Sequence, residues 1–539
     1  MSLPDNVYGH APAAQRPAPG PGIYRAQRPT LPDVPPVVET APGPAWPLIA
    51  VPVGLLPIVL WFFGIDRQMW IDEYVTVYVT KLSWAQFGKL IRNQDLVHGT
   101  YYVFMRLWTG MAGTSPAGLR LPSMLGMCLA AGGLTLLGRR LFSTRAGLLA
   151  GIVFALLPTV SRYGQEVRSY ALVSAFAVLS TLVLTYAVQL LERRWWLLYT
   201  VVTIILIYLH VVAALMLLPH ALLVLHSWRR ERERALAWWP ACAALIVGVA
   251  APLLFFAKGQ SGQVDWITAA SSAVRRYPDE LFGSDLITVA VLVLALAGAV
   301  RLVRCRAGNA SVVLIWAVFP PVFCYLTFDV AHLFLAKYAL FVLPAWAMLI
   351  GGLLSVPASA GPAVPDDGTP ARHSGPASHP WLGRWAAVSL VVVAVVVAVA
   401  GYSAQRELRR SPLAGEPDFR AAAAVVDQGF RDGDGIVYVG TYRWAWIPFG
   451  YELHTAHPRD VFVGVPAADN GWFYPQQCGD PAKCLGTTAR VWLVVSNYSG
   501  DDWTGLPAAQ AKLLKAQYTA TTRTRLENIR VVLLQRKRS

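Results

Sequence analysis

The chain has 539 residues, of which 55% are hydrophobic and 14% are charged, and its formal net charge is +15. Ordinary soluble proteins carry about 25% charged residues, so this composition excludes a cytosolic enzyme, a disordered scaffold and a disulfide-rich secreted module. We therefore expect a polytopic membrane protein.

Residues 1–45 are rich in proline and lack an apolar stretch, which is typical of a disordered cytoplasmic tail and not of a signal peptide. Beyond them, apolar stretches recur that are long enough to cross about 30 Å of hydrocarbon as helices. The eleven predicted spans are residues 46–64, 120–137, 146–160, 169–190, 195–209, 211–227, 238–256, 285–302, 311–327, 334–354 and 384–402.

Arginine marks one side of these spans. The segments 138–145, 192–194, 228–234 and 301–306 together hold 24 residues, 12 of which are Arg. All four fall on the same side if the spans alternate, and the positive-inside rule makes that side the cytoplasm. The longer loops then face outward across the plasma membrane, although the basic run at 406–410 is an exception. Because the cations lie in short loops, we expect a lipid bilayer and no nucleic acid as a partner.

The last part of the chain has a different pattern. Residues 355–383 are rich in Pro, Gly, Ala and Ser, which predicts a flexible cytoplasmic linker, and residues 403–539 alternate strand-like and helix-like stretches. The strand-like stretches are GIVYVGT, DVFVGV, ARVWLVVSN and IRVVLLQRK, and the helix-like ones are PDFRAAAAVVDQGF and LPAAQAKLLKAQY. The expected fold class is thus mainly α: a membrane helix bundle over residues 46–402, with a C-terminal extracytoplasmic α/β domain.

Six cysteines are unevenly distributed. Cys478 and Cys484 lie in a polar loop of the predicted external domain, where an oxidising environment favours a disulfide. A two-cysteine metal site is the alternative, but neither a histidine nor a second cysteine pair is nearby. The other four cysteines lie in or next to apolar spans, as small buried hydrophobic residues do.

The first external loop, residues 65–119, contains an acidic pair directly after the first span: Asp72 and Glu73. Carboxylates against a bilayer are costly unless a function or a partner holds them there. One of them can act as a base while its neighbour tunes it, although the pair alone also fits a loop start that faces water. Residues 83–93 then predict an amphipathic helix that lies in the membrane interface.

Three further groups could bind a phosphate-bearing headgroup or serve only the structure. His98 follows in D-L-V-H-G-T-Y-Y and, taken alone, fits a hydrogen-bonded structural histidine. The turn Ser161–Tyr170 contains two Arg, a Glu and two Tyr; guanidinium groups bind phosphate bidentately, but the same residues fit a salt-bridged helix start. Lys337, at the outer end of the tenth span, adds a cation that could instead snorkel to the interface.

These motifs, in their order along the chain, resemble the GT-C membrane glycosyltransferases. The ordered series is the acidic pair, interfacial helices, D-x-x-H followed by Tyr-Tyr, R-L-P-S at 120–123 and Y-G-Q-E-V-R-S-Y at 163–170. More narrowly, the series is similar to the bacterial group that includes protein O-mannosyltransferases, lipid A aminoarabinose transferases and actinobacterial polyprenyl-phosphate-mannose-dependent mannosyltransferases. The resemblance is densest over residues 65–170, looser through residues 262–267 and the helix of Lys337, and weak in the external domain.

The resemblance implies a helix bundle with an outward-facing cavity, a sugar donor on a polyprenyl phosphate, and inversion at the anomeric centre. Asp72 matches the catalytic base of the family, and Glu73 matches its partner acid. The residues that would bind the donor and its phosphate are His98, Arg162, Gln165, Glu166, Arg168, Tyr170 and Lys337, with Arg168 nearest the phosphate. Two positions depart from the pattern: Gly99 stands where related enzymes often carry Pro, and Lys337 where they often carry Arg.

The chemistry of the residues agrees with this resemblance. Arg and Lys can stabilise a phosphate leaving group without a metal, and the sequence shows no P-loop, no dinucleotide fingerprint and no metal-ligand cluster. We therefore expect no required cofactor, with a divalent metal as the open alternative. The predicted function is an inverting glycosyltransferase that moves a sugar, expected to be mannose, to an acceptor hydroxyl on the outer face.

Several alternatives stay open at this point. The sugar could be arabinofuranose or another pentose, and the acceptor could be a cell-wall glycan, a secreted protein or an exported glycopeptide. A lipid or sugar transporter would instead show charged residues in mid-span, broken helices and internal repeats. A membrane-anchored binding protein would leave the charged groups of the first loop unexplained.

Overall fold

The computed structural model describes residues 46–61, 64–231, 237–355, 380–440, 444–454, 457–496 and 500–538. The predicted tail (1–45), most of the predicted linker (355–383) and part of the basic segment 228–234 lie outside the described residues.

Helices form the membrane module. Their bounds are α1 Trp46–Trp61, α2 Ile71–Lys81, α3 Trp84–Asn93, α4 Gly99–Ala112, α5 Pro116–Leu141, α6 Thr144–Leu156, α7 Pro158–Gly164, α8 Tyr170–Leu190, α9 Arg193–Leu209, α10 Leu217–Glu231, α11 Trp238–Lys258, α12 Ser271–Phe282, α13 Asp285–Arg304, α14 Ala310–Leu326, α15 Phe328–Ala331, α16 Leu343–Gly351 and α17 Pro380–Glu407. Short 3-10 helices occur at Leu96–His98, Val211–Met216, Ser261–Val264, Ala336–Val342 and Gly352–Leu354.

Seven helices among the described residues are long and apolar enough to cross a membrane. They are Pro116–Leu141, Tyr170–Leu190, Val211–Trp228, Trp238–Lys258, Asp285–Arg304, Ala336–Leu354 and Trp385–Glu407. α6 and α7 pass the same test together, which makes eight, but they meet at a bend of 64°. The bend follows from Pro158, which lacks a backbone N–H and disfavours helical geometry at the residue before it.

The predicted count of eleven spans is not confirmed. The predicted spans 46–64, 195–209 and 311–327 are helical, but α1 has 16 residues and α9 and α14 have 17 each. A helix needs about 20 apolar residues to cross the hydrocarbon without tilting or thinning the bilayer. Apolar composition predicted the ends of these helices to within three residues, but their length leaves open whether they cross the membrane.

Small residues bring the central helices together. A Cβ on Gly147 of α6 would lie 2.2 Å from the carbonyl oxygen of Thr135 on α5, and a Cβ on Gly298 of α13 would lie 1.9 Å from that of Leu349 on α16. In lipid, close packing of backbones through small residues replaces the hydrophobic driving force. The spans that contain α5, α8 and α16 are mostly buried, whereas α11 and α17 turn most of their surface outward.

Residues 403–539 include a five-stranded sheet. The strands are β1 Gly435–Gly440, β2 Arg459–Asp460, β3 Val463–Val465, β4 Gln476–Gln477, β5 Arg490–Ser496, β6 Tyr518–Leu526 and β7 Ile529–Arg536. The helices are α18 Phe419–Gly429, α19 Trp446–Glu452, α20 Ala467–Asn470, α21 Pro481–Leu485 and α22 Ala508–Gln517. The sheet order is β2-β1-β5-β7-β6, in which β1 is parallel to β2 and β5, while β7 is antiparallel to β5 and β6; β3 and β4 form a separate pair.

Three of the four predicted strands are confirmed as β1, β5 and β7. The stretch DVFVGV is not one strand but divides between β2 and β3, which belong to different sheets. β6 was missed, because its Thr, Arg and Ala residues alternate without a strong apolar face and it lies at the sheet edge, where most of its side chains stay exposed. Cys478 and Cys484 form a disulfide, and the other four cysteines are free thiols.

The C-terminal domain, which the sequence predicts to be external and which keeps the name external domain below, docks on the first loop. Tyr74 of α2 packs edge-on against Phe419 and Tyr451, with ring centroids 6.0 and 5.7 Å apart, and its hydroxyl donates to Glu452. Gln68 donates from its side chain to the carbonyl of Pro417 at 2.8 Å, and from its backbone N–H to the hydroxyl of Ser411 at 3.0 Å. The first loop is therefore enclosed between the helix bundle and the external domain.

The predicted amphipathic helix is confirmed as α3. Ser83 caps it, because its hydroxyl accepts the N–H of Gln86 while the Gln86 side chain accepts the N–H of Ser83. Its polar face contacts the external domain, since Asn93 donates to the carbonyl of Gly471 at 3.0 Å and Lys89 donates to that of Asp469. Its position in the membrane interface stays a prediction.

We expect Gly298→Val to lower the thermal stability of the purified protein in detergent, because the new side chain would force α13 away from α16. Overpacking costs about 1–3 kcal/mol. Gly248→Val on α11 is the matched control, since nothing lies within 4 Å of a Cβ there. Equal unfolding temperatures for the two variants would contradict the helix packing described above.

Candidate active site

A buried ion pair fixes the first turn of α2. Arg120 of α5 donates from Nε to Oε1 of Glu73 at 2.9 Å and from Nη2 to Oε2 at 2.8 Å, and both side chains are 0% exposed. The same guanidinium donates to the carbonyls of Ile65 and Arg67. Such a two-point contact fixes orientation as well as distance. The pair therefore ties the start of the first loop, α2 and α5 together.

The turn between α7 and α8 is held by the same residues. The Glu73 carboxylate accepts the backbone N–H of Val167 at 3.2 Å. Ser123, also on α5, donates to the carbonyl of Glu166 at 2.6 Å. The R-L-P-S and Q-E-V-R motifs are thus in direct contact, and their contact sets the direction of Arg168.

Asp72 lies between two cations. Its Oδ2 is 3.0 Å from Nζ of Lys337 and 3.7 Å from Nη2 of Arg168, and 17% of its side chain is exposed. Burial alone would raise the pKa of Asp72, but the charges of Lys337 and Arg168 outweigh burial and lower it to about 2. Lys337 also lies 4.9 Å from the ring centroid of Trp70. Asp72 is therefore an ionised carboxylate that remains partly accessible.

His98 belongs to a chain of contacts behind Arg168. Arg168 donates from Nη1 to the hydroxyl of Tyr102 at 2.9 Å, and that hydroxyl donates to Asp95. Nε2 of His98 is 3.9 Å from Oδ1 of Asp95. Burial lowers the pKa of His98 well below its usual value, and the charge of Arg168 lowers it further, so the ring is neutral. His98 is therefore linked to Asp72 only indirectly, through contacts that run by way of Asp95, Tyr102 and Arg168.

Aromatic rings surround the cluster. Tyr170 lies 5.5 Å from Tyr163 and 5.9 Å from His210, and His210 lies 5.1 Å from Tyr338, centroid to centroid. His210 was missed by the sequence analysis, because it stands alone between two apolar stretches. The available signal was its polarity within a long apolar region, where an ionisable residue is rarely without a task.

The remaining predicted residues lie beside this cluster. Gln165 accepts from Nη1 of Arg67 at 3.1 Å, and the guanidinium of Arg162 lies 5.3 Å from the ring of Tyr163. Glu166 is almost fully buried; burial raises its pKa to about 7, although the charge of Arg162 opposes the shift. Of the predicted donor-binding residues, only Lys337 and Arg168 form salt bridges with Asp72 among the described residues.

The external domain contributes one acidic group that sequence reasoning missed. Glu416 lies in the segment between α17 and α18. Burial raises its pKa to about 7, and the nearby charge of Asp72 raises it in the same direction. No motif marks Glu416, because its position near Asp72 depends on how the external domain docks. Among the described residues, no group of three or more His, Cys, Asp or Glu side chains could hold a metal ion.

The arrangement has two chemical capacities. Lys337 and Arg168 converge from different elements and can hold an anion such as a phosphate. Asp72 lies against both of them and can accept a proton from a neighbouring hydroxyl. Asp72 and the two cations are partly exposed, whereas Glu73 has no exposed surface with which to touch a substrate.

Comparison with known proteins gives one family and one fold. Residues 100–256 match the family described as dolichyl-phosphate-mannose-protein mannosyltransferase. ArnT from Cupriavidus metallidurans in the apo state has a similar structure, with a TM-score of 0.54 at 14% identity over 91% of this chain and 98% of that chain. ArnT bound to undecaprenyl phosphate gives a TM-score of 0.53 at the same identity and coverage. No curated protein matches the chain significantly in sequence.

We expect Arg120→Lys to destabilise the protein by about 1–3 kcal/mol, the usual cost of leaving buried hydrogen-bonding groups without a partner. A lysine ammonium cannot contact both carboxylate oxygens of Glu73 and the backbone carbonyls at once. Thermal unfolding in detergent measures the change, and Arg92→Lys, on the exposed face of α3, is the control. An unfolding temperature equal to that of the control would show that the ion pair is dispensable.

Proposed function

We propose that this chain, a membrane glycosyltransferase of the GT-C superfamily, transfers a sugar from a polyprenyl phosphate to an acceptor hydroxyl on the outer face of the plasma membrane, with inversion. The family match over residues 100–256 supports the superfamily and the class of enzyme, and the shared fold agrees with it. The donor, the sugar, the stereochemistry and the membrane face are our proposal. The observation that carries it is the contact of Asp72 with both Lys337 and Arg168.

Lys337 and Arg168 hold the phosphate of the donor in this proposal. As the bond between the sugar and the phosphate breaks, negative charge grows on the phosphate oxygens, and two fixed cations stabilise that charge. Arg168 is held in place by Tyr102 and by the turn that Ser123 fixes. Tyr170, Glu166, Gln165, Arg162 and His98 remain proposed residues of the donor site, of which His98 acts through its neighbours.

Asp72 is the proposed base. While it is paired with two cations, its pKa of about 2 makes it a poor proton acceptor, because a base works best when its pKa is near the working pH. A phosphate bound to Lys337 and Arg168 offsets their positive charge, and this raises the pKa of Asp72. The base is therefore activated only when the donor is present, which protects the donor from transfer to water.

Glu73 has a positioning role in this proposal. Its two oxygens are occupied by Arg120 and by backbone N–H groups of Val167 and Trp70. It orients the first turn of α2, and with it Asp72, toward the two cations. In this proposal Asp72 contacts the reactants, whereas Glu73 fixes the geometry of the site.

The sugar and its carrier are proposed from the relatives. The matched family is described by mannose on dolichyl phosphate, which supports mannose on a polyprenyl phosphate, and one ArnT structure contains undecaprenyl phosphate. Arabinofuranose or another pentose is the alternative sugar. The acceptor is a glycan, a protein or a glycopeptide.

The positions of the arginines support the outer face. On α5, Arg120 lies at the proposed site, and Arg139 and Arg140 lie in the last turn. Nineteen residues of helix span about 28 Å, which is close to the thickness of the hydrocarbon core. The basic ends of the helices therefore lie on the side of the membrane opposite to Asp72, as the positive-inside rule requires for a site that faces outward.

We expect Asp72→Asn to lower sugar transfer from polyprenyl-phosphate mannose by about 100-fold to 10,000-fold, the usual contribution of a general base. The rate is measured with purified protein in lipid vesicles, as the amount of labelled sugar transferred to the acceptor over time. Asp66→Asn in the same loop is the control, because Asp66 is exposed and forms no salt bridge among the described residues. Full activity of Asp72→Asn would reject Asp72 as the base, and transfer from the arabinose donor alone would reject mannose.

We expect a cysteine introduced at Gly259, in the loop after α11, to react with a membrane-impermeant thiol reagent in intact cells. A cysteine at Ser143, between α5 and α6, should react only after the membrane is opened. The background for both variants is a chain whose four free cysteines are replaced by Ala. Labelling of both sites in intact cells would contradict the proposed orientation.

A further inference from the structure

The external domain contains a groove at the strand ends that face away from α2. Its volume is about 630 Å³, and it lies where β1, β2 and β5 begin. The other end of β1 leads toward α19, which packs on α2 through Trp446 and Tyr78, with ring centroids 4.9 Å apart. α18 connects the two sides. Its first residue, Phe419, contacts α2, while Gly429, ten residues and about 15 Å along the helix, accepts a hydrogen bond from Arg490 of the groove. The groove is therefore separate from the cluster around Asp72.

Positive side chains predominate in the groove. Its charged lining residues are Arg431, Arg459, Lys483, Arg490, Asp432 and Asp434. Asp434 is already satisfied, because it pairs with Arg490 at 3.4 Å and accepts from the indole of Trp492 at 2.9 Å. The other three cations form no salt bridge within the described part of the chain, and Asp432 is the one lining carboxylate left to balance them. The groove thus presents an excess of positive charge.

The rim of the groove is rigid. The disulfide between Cys478 and Cys484 closes a short loop that contains Lys483. Asp480 caps the helix within this loop by accepting the backbone N–H of Lys483 at 3.2 Å, and Arg459 donates to the carbonyl of Cys484 at 3.0 Å. Cations on a backbone that is already ordered lose less conformational entropy when they bind a ligand.

The size and the chemistry of the groove indicate its ligand. Sites of about 300–1,000 Å³ accommodate small ligands or a few linked rings, and guanidinium groups prefer carboxylates and phosphates. Thr487 and Gly486 add polar groups to the lining. We infer that the groove binds an anionic stretch of glycan, whose charge is a carboxylate or a phosphodiester, in the acceptor of the proposed transfer. This inference rests on the proposed function, and it makes the external domain the part that selects the acceptor.

The inference is tested by titration calorimetry of the full-length protein in detergent micelles at low salt. The probes are a uronic-acid oligosaccharide, a glycerol-phosphate oligomer and a neutral oligosaccharide of equal length. We expect one of the anionic probes to bind at least tenfold more tightly than the neutral one, with an affinity that falls as salt screens the charges. The anionic probe that binds shows whether the groove recognises a carboxylate or a phosphodiester.

Two triple variants test whether binding depends on the cations of the groove or only on the net charge of the domain. The groove variant combines Arg431→Ala, Arg459→Ala and Lys483→Ala, and it should bind the anionic probe at least tenfold more weakly than the wild type. The control variant combines Lys512→Ala, Arg525→Ala and Arg538→Ala, which remove the same charge from exposed positions elsewhere in the domain, and it should retain the wild-type affinity. Thermal unfolding must be the same for both. Equal loss of affinity in the two variants, or equal binding of neutral and anionic probes, would overturn the inference.

The outcome is independent of the transfer reaction. Asp72→Asn should bind the anionic probe with unchanged affinity, because Asp72 does not line the groove, which lies at the strand ends that face away from α2. If the wild-type protein binds the probe but transfers sugar from no polyprenyl donor, the proposed function fails and the groove stands. If it transfers sugar but the groove variant keeps the wild-type KM for an anionic acceptor, the groove inference fails and the function stands.

Discussion

The rest of the site depends on the buried ion pair between Glu73 and Arg120. Removing two charges from water costs several kcal/mol for each, and only near-ideal geometry with further hydrogen bonds compensates for it. Here the carboxylate accepts two guanidinium N–H groups and the N–H of Val167, while the guanidinium also donates to the carbonyls of the first loop. Three segments that are distant in sequence are thereby fixed to one point: the first loop with the start of α2, α5, and the turn between α7 and α8. Asp72 follows from this constraint, because it is the neighbour of Glu73 on the same turn.

Around that fixed point, the charges of Asp72, Lys337 and Arg168 form a group that is not electrically balanced. One carboxylate faces two cations, so the cluster carries an unpaired positive charge before any ligand binds. In the proposed function, a phosphate would supply the missing negative charge and raise the pKa of the carboxylate at the same time. Binding of the donor and activation of the base would then be one electrostatic event, carried out by groups whose positions are set before the substrate arrives.

Much of this arrangement was predictable from the sequence. The acidic pair, the R-L-P-S and Q-E-V-R motifs and Lys337 were each identified, because charged residues at the ends of apolar stretches are conspicuous. What the motifs could not show was which carboxylate is buried, since burial is decided by α5 and by a turn some ninety residues away. His210 and Glu416 lacked a motif, and β6 lacked an apolar face. The predicted count of eleven spans stays unconfirmed, because apolar composition locates a helix but does not show whether it crosses the bilayer.

The docking of the external domain on Gln68 has a consequence for how the protein is made. The first loop leaves the ribosome early, but the groups that hold Gln68, at Ser411 and Pro417, are synthesised more than three hundred residues later. During synthesis the loop therefore lacks these contacts while the rest of the bundle is made. Full assembly comes only once the last segment has been synthesised. A chain that stalls before this point has no completed site.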